Sequence, residues 1–491
     1  MLLWLVPFFF LPFSSCGEEH GNSNVPVLVI SVNSFRWNFV DRIVKLRTTD
    51  ANIPSRLWEL VEKGAFANEG IQSSFPTTTF PSQHTLVTGL FAESHGVVSD
   101  VIHDPGLNLT ANLKLHDPAD DWVFGGEAIW KTLEKRSGGM VGCYMWPGCE
   151  HGGVSKFVSF KQNTIWHDRI DKAIEWLRNG AKLVLVSSPD IDEIGRTDGP
   201  DSGSMDEALI RFDADIAYLV KKLEDEKFID RINLVIVSGQ GITKILQSAP
   251  VLPVNPPQNP YVRSRTPTMW LVEPFEGSEN DTVNYFEKFP NLKVFTKEKV
   301  PKEWNYQRSH RIPSVVVVAE PGYILSADEI GPQISGQYGY DNVVSDMRGT
   351  FIGFGPAFLP NSTVPSSVST VDVYQLLCVL LNIVPAANNG SAKQFQYFVQ
   401  PAYLEHWTDS ETHQISWTAI IILLVILVIG TVIGSWLCIR KGECTSNRAP
   451  QSSSRPRTIE ATGPGEKTPI MHKYDSELVI LELDDDGAIK A

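Results

Sequence analysis

Cysteine is scarce in this chain, six in 491 residues. That excludes a disulfide scaffold and leaves the fold to be held by an apolar core. Basic charge is short as well: 42 Lys and Arg stand against 57 Asp and Glu, for a net charge of −15. With no basic aromatic stripe to offset that balance, a nucleic-acid partner is excluded. Short-range catalytic motifs are missing too, since there is no Ser-His-Asp signature, glycine-rich phosphate loop or Cys-x-x-Cys pair. His84, His95, His103, His116, His151 and His167 fall in no familiar metal-ligand spacing. Asp190-Ile-Asp192-Glu193 reads as a solvated acidic loop rather than a calcium site.

Long apolar runs are confined to two places. The first, within residues 1–16, ends in small residues before the polar Gly17-Glu18-Glu19-His20 and reads as a signal peptide. The second, 415–439, carries no charge. At 1.5 Å per residue it is long enough to cross a hydrocarbon core of about 30 Å. Trp417 and Trp436 sit where interfacial aromatics belong, and Arg440-Lys441 follow as a stop-transfer pair. The expectation is a single-pass type I membrane protein of the cell surface or secretory pathway. Its cytoplasmic tail, 440–491, is Ser/Pro/Arg-rich and then acidic, a composition too polar to bury a core, and reads as disordered.

Residues 25–407 form the expected ectodomain. Asn-x-Ser/Thr sequons at Asn108, Asn280, Asn361 and Asn389 all fall inside it and none in the tail, as glycosylation on the lumenal side requires. Its cysteines are Cys143, Cys149 and Cys378. The spacing allows a Cys143–Cys149 loop, but the sequence leaves the connectivity open. Short apolar β runs alternate with longer amphipathic segments, which predicts an α/β fold with a mainly parallel sheet and helices on both faces. Expected core strands are 25–32, 141–145, 183–187, 234–238, 315–319 and 351–354; expected helices are 55–63, 166–178, 205–224 and 370–381. In such sheets functional groups collect after the carboxyl ends of strands. The places to look are therefore Asn33, the loop after Ser187, and Gly239.

Motifs at those loops, and elsewhere in a consistent order, carry a resemblance. They include Val29-Ile-Ser-Val-Asn-Ser-Phe-Arg-Trp, Phe75-Pro-Thr-Thr-Thr-Phe-Pro-Ser, Thr88-Gly-Leu-Phe-Ala-Glu-Ser-His-Gly and Asp192-Glu-Ile-Gly-Arg-Thr-Asp-Gly-Pro. Val237-Ser-Gly-Gln-Gly, Gly336-Gln-Tyr-Gly-Tyr-Asp-Asn and Met347-Arg-Gly-Thr-Phe-Ile-Gly-Phe-Gly-Pro follow. From Pro26 to about Trp407 the chain resembles the nucleotide pyrophosphatase/phosphodiesterases of the alkaline phosphatase superfamily. The resemblance implies the alkaline-phosphatase-like fold and, in the family, two zinc ions that activate a threonine for attack on phosphorus. Thr79 matches that nucleophile and is expected just ahead of a helix that starts after Pro81. A threonine at such a place also serves as a helix N-cap.

The resemblance fails at the ligands. Where the family has Asp-Gly-Phe-Arg, this chain has Asn33-Ser-Phe-Arg; where it has Asp-x-x-Gly-His, Asp192 remains but Arg196 replaces the histidine. Gly239-Gln240 stands for Asp-His, and Tyr338 for the histidine before Gly-Tyr-Asp-Asn. Asp192 is the one retained carboxylate. Zinc takes carboxylate, imidazole or thiolate ligands, so neither metal is expected to bind. Arg196 is expected to pair with Asp192 instead. Asp100 takes the place of a family asparagine that donates to the phosphoryl oxygen, and a carboxylate cannot donate. Ser82 replaces another family asparagine. Phe80 and Phe160 match the aromatic faces between which the family stacks a nucleobase.

The resulting expectation is a membrane-anchored, catalytically inactive phosphodiesterase-like glycoprotein that needs no cofactor and acts by binding. Its partner would be a protein, such as a related active phosphodiesterase, or a nucleotide ligand. The alternative is an active ectonucleotide pyrophosphatase/phosphodiesterase that cleaves phosphodiester or pyrophosphate bonds using Thr79.

Overall fold

The strand Val27–Val32 is apolar at five of its six positions and buried at all six, the pattern of a strand covered on both faces. Its alternate residues divide between two cores. Val27 and Val29 join a cluster with Leu86, Leu133 and Leu377, whereas Leu28, Ile30 and Val32 join one with Ile170, Phe212 and Ile216. The first cluster is covered by the helices Thr79–Thr88, Ile129–Ser137 and Thr370–Leu381; the second by Phe39–Asp50, Arg56–Glu62, Trp166–Arg178 and Gly203–Asp225. Helices therefore lie on both faces, as the sequence predicts.

The computed structural model describes residues 25–50, 54–115, 122–152, 154–161, 164–246, 251–253, 261–327 and 334–405, with a few positions between 422 and 431. The main sheet has eight strands, in the order Ser362–Thr363, Ala65–Phe66, Phe351–Phe354, Asn233–Val237, Val27–Val32, Ala181–Ser188, Met140–Tyr144, Lys156–Val158. The last five are mutually parallel, and Phe351–Phe354 runs antiparallel to both neighbours.

Local chemistry explains the long helices. In Gly203–Asp225 the Ser202 side chain accepts from the Met205 amide, and Met205, Leu209, Phe212, Ile216, Leu219 and Leu223 are buried at helical spacing. Thr370–Leu381 opens on a reciprocal capping box between Ser369 and Asp372 and closes on Asn382, whose φ of 52° is left-handed.

One expected core strand belongs elsewhere. Val315–Ala319 pairs antiparallel with Met269–Glu273 and Leu292–Thr296 in a separate four-stranded sheet that also holds Tyr261–Arg265. Val316 and Val318 pack into one cluster, Val315 and Val317 into another. A strand buried on both faces reads the same in either sheet, which is why the sequence misplaced it.

The chain divides after Gln414 into two units. The expected signal peptide and cytoplasmic tail lie outside the described residues. So does most of 415–439, of which Ile422, Val425, Ile426, Leu427 and Ile429 are helical and exposed. Among the described residues no helix is long and apolar enough to cross a membrane.

Candidate functional site

Three parallel strands end at the same edge and deliver the residues singled out above. Asn33 follows Val27–Val32, and its amide donates to the Ser188 carbonyl at 2.9 Å. Asp192 stands in the helix Asp190–Thr197, directly after Ala181–Ser188, while Gly239 and Gln240 follow Asn233–Val237. Together with Thr79, Phe80, Phe160, Arg196 and Tyr338, Asn33 and Asp192 line one cavity of about 550 Å³. The structure thus gathers the predicted positions at one place, although Gly239 and Gln240 do not line the cavity and meet the helix Thr79–Thr88 instead, at Ser82 and Thr79.

Thr79 is the first residue of the helix Thr79–Thr88, not a residue ahead of it. Pro81 fits inside the first turn because amides there have no partner within the helix. Thr78 occupies the N-cap position yet makes no capping bond through its side chain. The Thr79 hydroxyl accepts from Gln240 Nε2 at 3.3 Å. Burial pushes the neighbouring Tyr338 phenol well above its ordinary range, the charges of Asp192 and Asp100 add to the rise, and Arg196 and Thr79 oppose it. Tyr338 therefore stays a neutral hydroxyl.

Asp192 is fully engaged by the protein. One oxygen accepts from Ser34 Oγ at 2.5 Å, the other from Arg196 Nε at 2.9 Å. Burial disfavours the Arg196 charge, but Asp192, Tyr338 and Glu193 together more than offset it and the guanidinium pKa is raised. Asn33 is occupied likewise, its carbonyl accepting from Gln83 Nε2 at 2.5 Å, and the same Gln83 nitrogen reaches Ser187 Oγ at 2.9 Å. A Cβ built on Gly239 lies 2.7 Å from the Ser82 Cβ, so the backbone here is packed against the helix with no room for a side chain.

Two zinc ions do not fit this donor set. The one carboxylate is tied to a guanidinium, and its companions are an amide, a phenol, a glutamine and a glycine. Among the described residues no three His, Cys, Asp or Glu side chains converge to hold a metal.

The acidic stretch 190–193, expected as a solvated loop, is the first turn of Asp190–Thr197, where carboxylates suit the helix dipole. Arg169 grips Asp190 with both terminal nitrogens, at 2.6 and 3.1 Å. Cys143 and Cys149 form a disulfide, and Cys378 is a buried free thiol. Between the paired cysteines, Met145, Trp146 and Pro147 line the cavity.

Sequence reasoning missed three participants. Gln83 lies four residues after Thr79 on one face of a helix, a spacing that marks it. Ser34, at a left-handed φ of 59°, and Lys114, 3.2 Å from Asp100, carry no such mark.

A mainly parallel sheet with its chemistry gathered beyond the strand carboxyl ends, in this connectivity, is the alkaline phosphatase superfamily architecture. Within it the chain belongs to the type I phosphodiesterase / nucleotide pyrophosphatase family, whose model matches residues 27–341. It is similar to human ectonucleotide pyrophosphatase/phosphodiesterase family member 5, with 32% identity over 375 residues, 74% of this chain and 76% of that protein. A bis(5'-adenosyl)-triphosphatase of Xenopus laevis is 28% identical over 391 residues, 76% of this chain and 82% of that protein. Among solved structures, murine ectonucleotide pyrophosphatase/phosphodiesterase 5 superimposes with a TM-score of 0.70 at 29% identity, covering 76% of this chain and 100% of that one. An inactive variant of the same murine protein, in complex with AMP, matches equally well.

Proposed function

We propose that this chain is a catalytically silent member of its family, a membrane-anchored binding protein of the cell surface or secretory pathway that works without zinc. The observation that carries the reading is the state of Asp192. Both oxygens of this single retained carboxylate already accept hydrogen bonds, from Ser34 and Arg196, and the guanidinium neutralises its charge. A divalent cation would have to displace a guanidinium and then find two more ligands among neutral side chains. Its function then lies in what the cavity or the outer surface binds; a related active phosphodiesterase is the first protein partner to try, and a nucleotide, compared with its nucleoside, the first small ligand. The four sequon asparagines are exposed, which supports glycosylation of this unit.

A second reading is favoured by one feature: Thr79 keeps its hydroxyl at the cavity wall, hydrogen-bonded by Gln240. In that reading the chain is an active ectonucleotide phosphodiesterase. Elemental analysis of the purified protein and hydrolysis of a nitrophenyl nucleotide ester separate the two. The expected result is substoichiometric zinc and no turnover. Stoichiometric zinc with turnover abolished by Thr79→Ala would overturn the silent reading.

A further inference from the structure

The N-terminus of the helix Thr79–Thr88 is the natural seat for an anion in this cavity, since it presents unpaired amides and the positive end of the helix dipole. Two of its first three positions, Phe80 and Pro81, have no amide left for a ligand, and only the Thr79 amide remains. The Phe80 amide donates to Asp100 Oδ1 at 3.3 Å, Pro81 has no amide hydrogen, and the Ser82 amide donates to the Thr78 carbonyl at 3.1 Å. Thr78, whose hydroxyl is buried and makes no hydrogen bond, leaves the capping to this carboxylate from outside the helix. The Asp100 side chain is 1% exposed, and Lys114 Nζ sits 3.2 Å from its other oxygen.

Four cationic and four acidic residues line the cavity. Two further lining cations, Arg169 and Arg196, repeat the arrangement, and Lys161 alone of the four has no carboxylate partner among the described residues. Lys114 pairs with Asp100, Arg169 with Asp190 at 2.6 Å, and Arg196 with Asp192 at 2.9 Å. Each of these three positive groups is answered by the protein's own carboxylate. The rest of the lining is largely aromatic and apolar, from Phe80, Phe124, Met145, Trp146, Phe157 and Phe160.

We infer that the cavity selects an uncharged ligand with a flat apolar body and turns phosphate monoesters away, with Asp100 as the residue that sets this preference. The inference rests on the metal-free reading of the site and names its ligand class. A phosphate brought to the helix terminus meets a buried carboxylate, and like charges at short range in a poorly hydrated site repel strongly. Asp100→Asn is nearly isosteric and keeps an acceptor for the Phe80 amide. It removes the charge and releases Lys114 toward the cavity.

The test uses the full chain in the presence of a chelator, titrated by calorimetry with adenosine and AMP, a pair that differs by one phosphate. Wild type is expected to bind adenosine at least as tightly as AMP. In Asp100→Asn the AMP affinity should rise about tenfold relative to adenosine, and in Lys114→Gln, which leaves Asp100 uncompensated, it should fall relative to adenosine. A purely capping role for Asp100 leaves these ratios unmoved, because asparagine caps as well as aspartate. Tenfold preference of the wild type for AMP, failure of both ligands to bind at millimolar concentration, or an unchanged ratio in the variants overturns the inference. Should Asp100→Asn not fold, the wild-type ratio and Lys114→Gln decide. Zinc content and turnover are independent of this readout, so a zinc-bearing enzyme that still prefers adenosine under chelator would sink the silent reading alone.

Discussion

Gly239 and Ser82 are in backbone-close contact: a Cβ on the glycine falls 2.7 Å from the Cβ of the serine. The position that matches a metal-binding aspartate is therefore closed by packing as well as by mutation. Gly239→Asp is expected to destabilise the protein by about 1–3 kcal/mol through overpacking, without raising its zinc content. Denaturant midpoints and elemental analysis check this, and a well-folded, zinc-binding single variant would contradict it.

Asp192 and Arg196 should respond unequally to removal of the partner. Asp192→Ala leaves a guanidinium whose side chain is 37% exposed, so water takes up much of the loss, and the expected cost is about 1 kcal/mol. Arg196→Met instead leaves a carboxylate 10% exposed with Ser34 as its remaining side-chain donor. Its cost is expected to be the larger of the two, about 2 kcal/mol. Urea unfolding of both variants tests the order, and equal costs would show that the pair is idle.

Acid should loosen the protein through His84. Burial lowers its pKa from 6.5 to about 4, the Gly125 carbonyl opposes the drop, and Lys131 and His151 add to it. His95, 5.0 Å away between ring centroids, is also held well below its usual range by burial and by His84. A histidine kept neutral by the fold binds its proton in the unfolded chain first. Stability is therefore complete above pH 6.5 and declines as pH falls toward 4, by up to about 3 kcal/mol for His84. His84→Gln, which retains a donor for the Gly125 carbonyl, is expected to flatten the stability profile across that window.

Glycan occupancy tests the topology. Asn108, Asn280, Asn361 and Asn389 are exposed, and the protein from secreting cells should lose mass on endoglycosidase treatment in proportion to all four. Substituting each asparagine by glutamine should remove one step of that loss. A mass unchanged by the enzyme would count against passage of this unit through the secretory route.

Much of the fold was legible because parallel core strands advertise themselves. The runs ending at Val32, Ser188 and Val237 are apolar and bounded by polar turns, and each delivers site residues where the sequence placed them. Val315–Ala319 shows the limit, since four consecutive valines report burial on both faces but not which sheet provides the cover. The start of the Thr79 helix was hidden by Pro81, which punctuates most helices but is tolerated in a first turn. The Asp192–Arg196 pair was readable from its spacing of four. Ser34 on Asp192 and Asp100 on the Phe80 amide were not, because the first joins residues 158 positions apart and the second crosses from a separate segment.

The short loop clasped by Cys143 and Cys149 carries Met145, Trp146 and Pro147 to the cavity. One side of the binding cleft is thus finished by an oxidation rather than by folding alone. A copy retained among reducing thiols would show the same sheet and the same internal ion pairs but a slack flank where the tryptophan should stand. Reduction of that one bond is therefore expected to loosen this flank of the cavity before it disturbs the strands beneath.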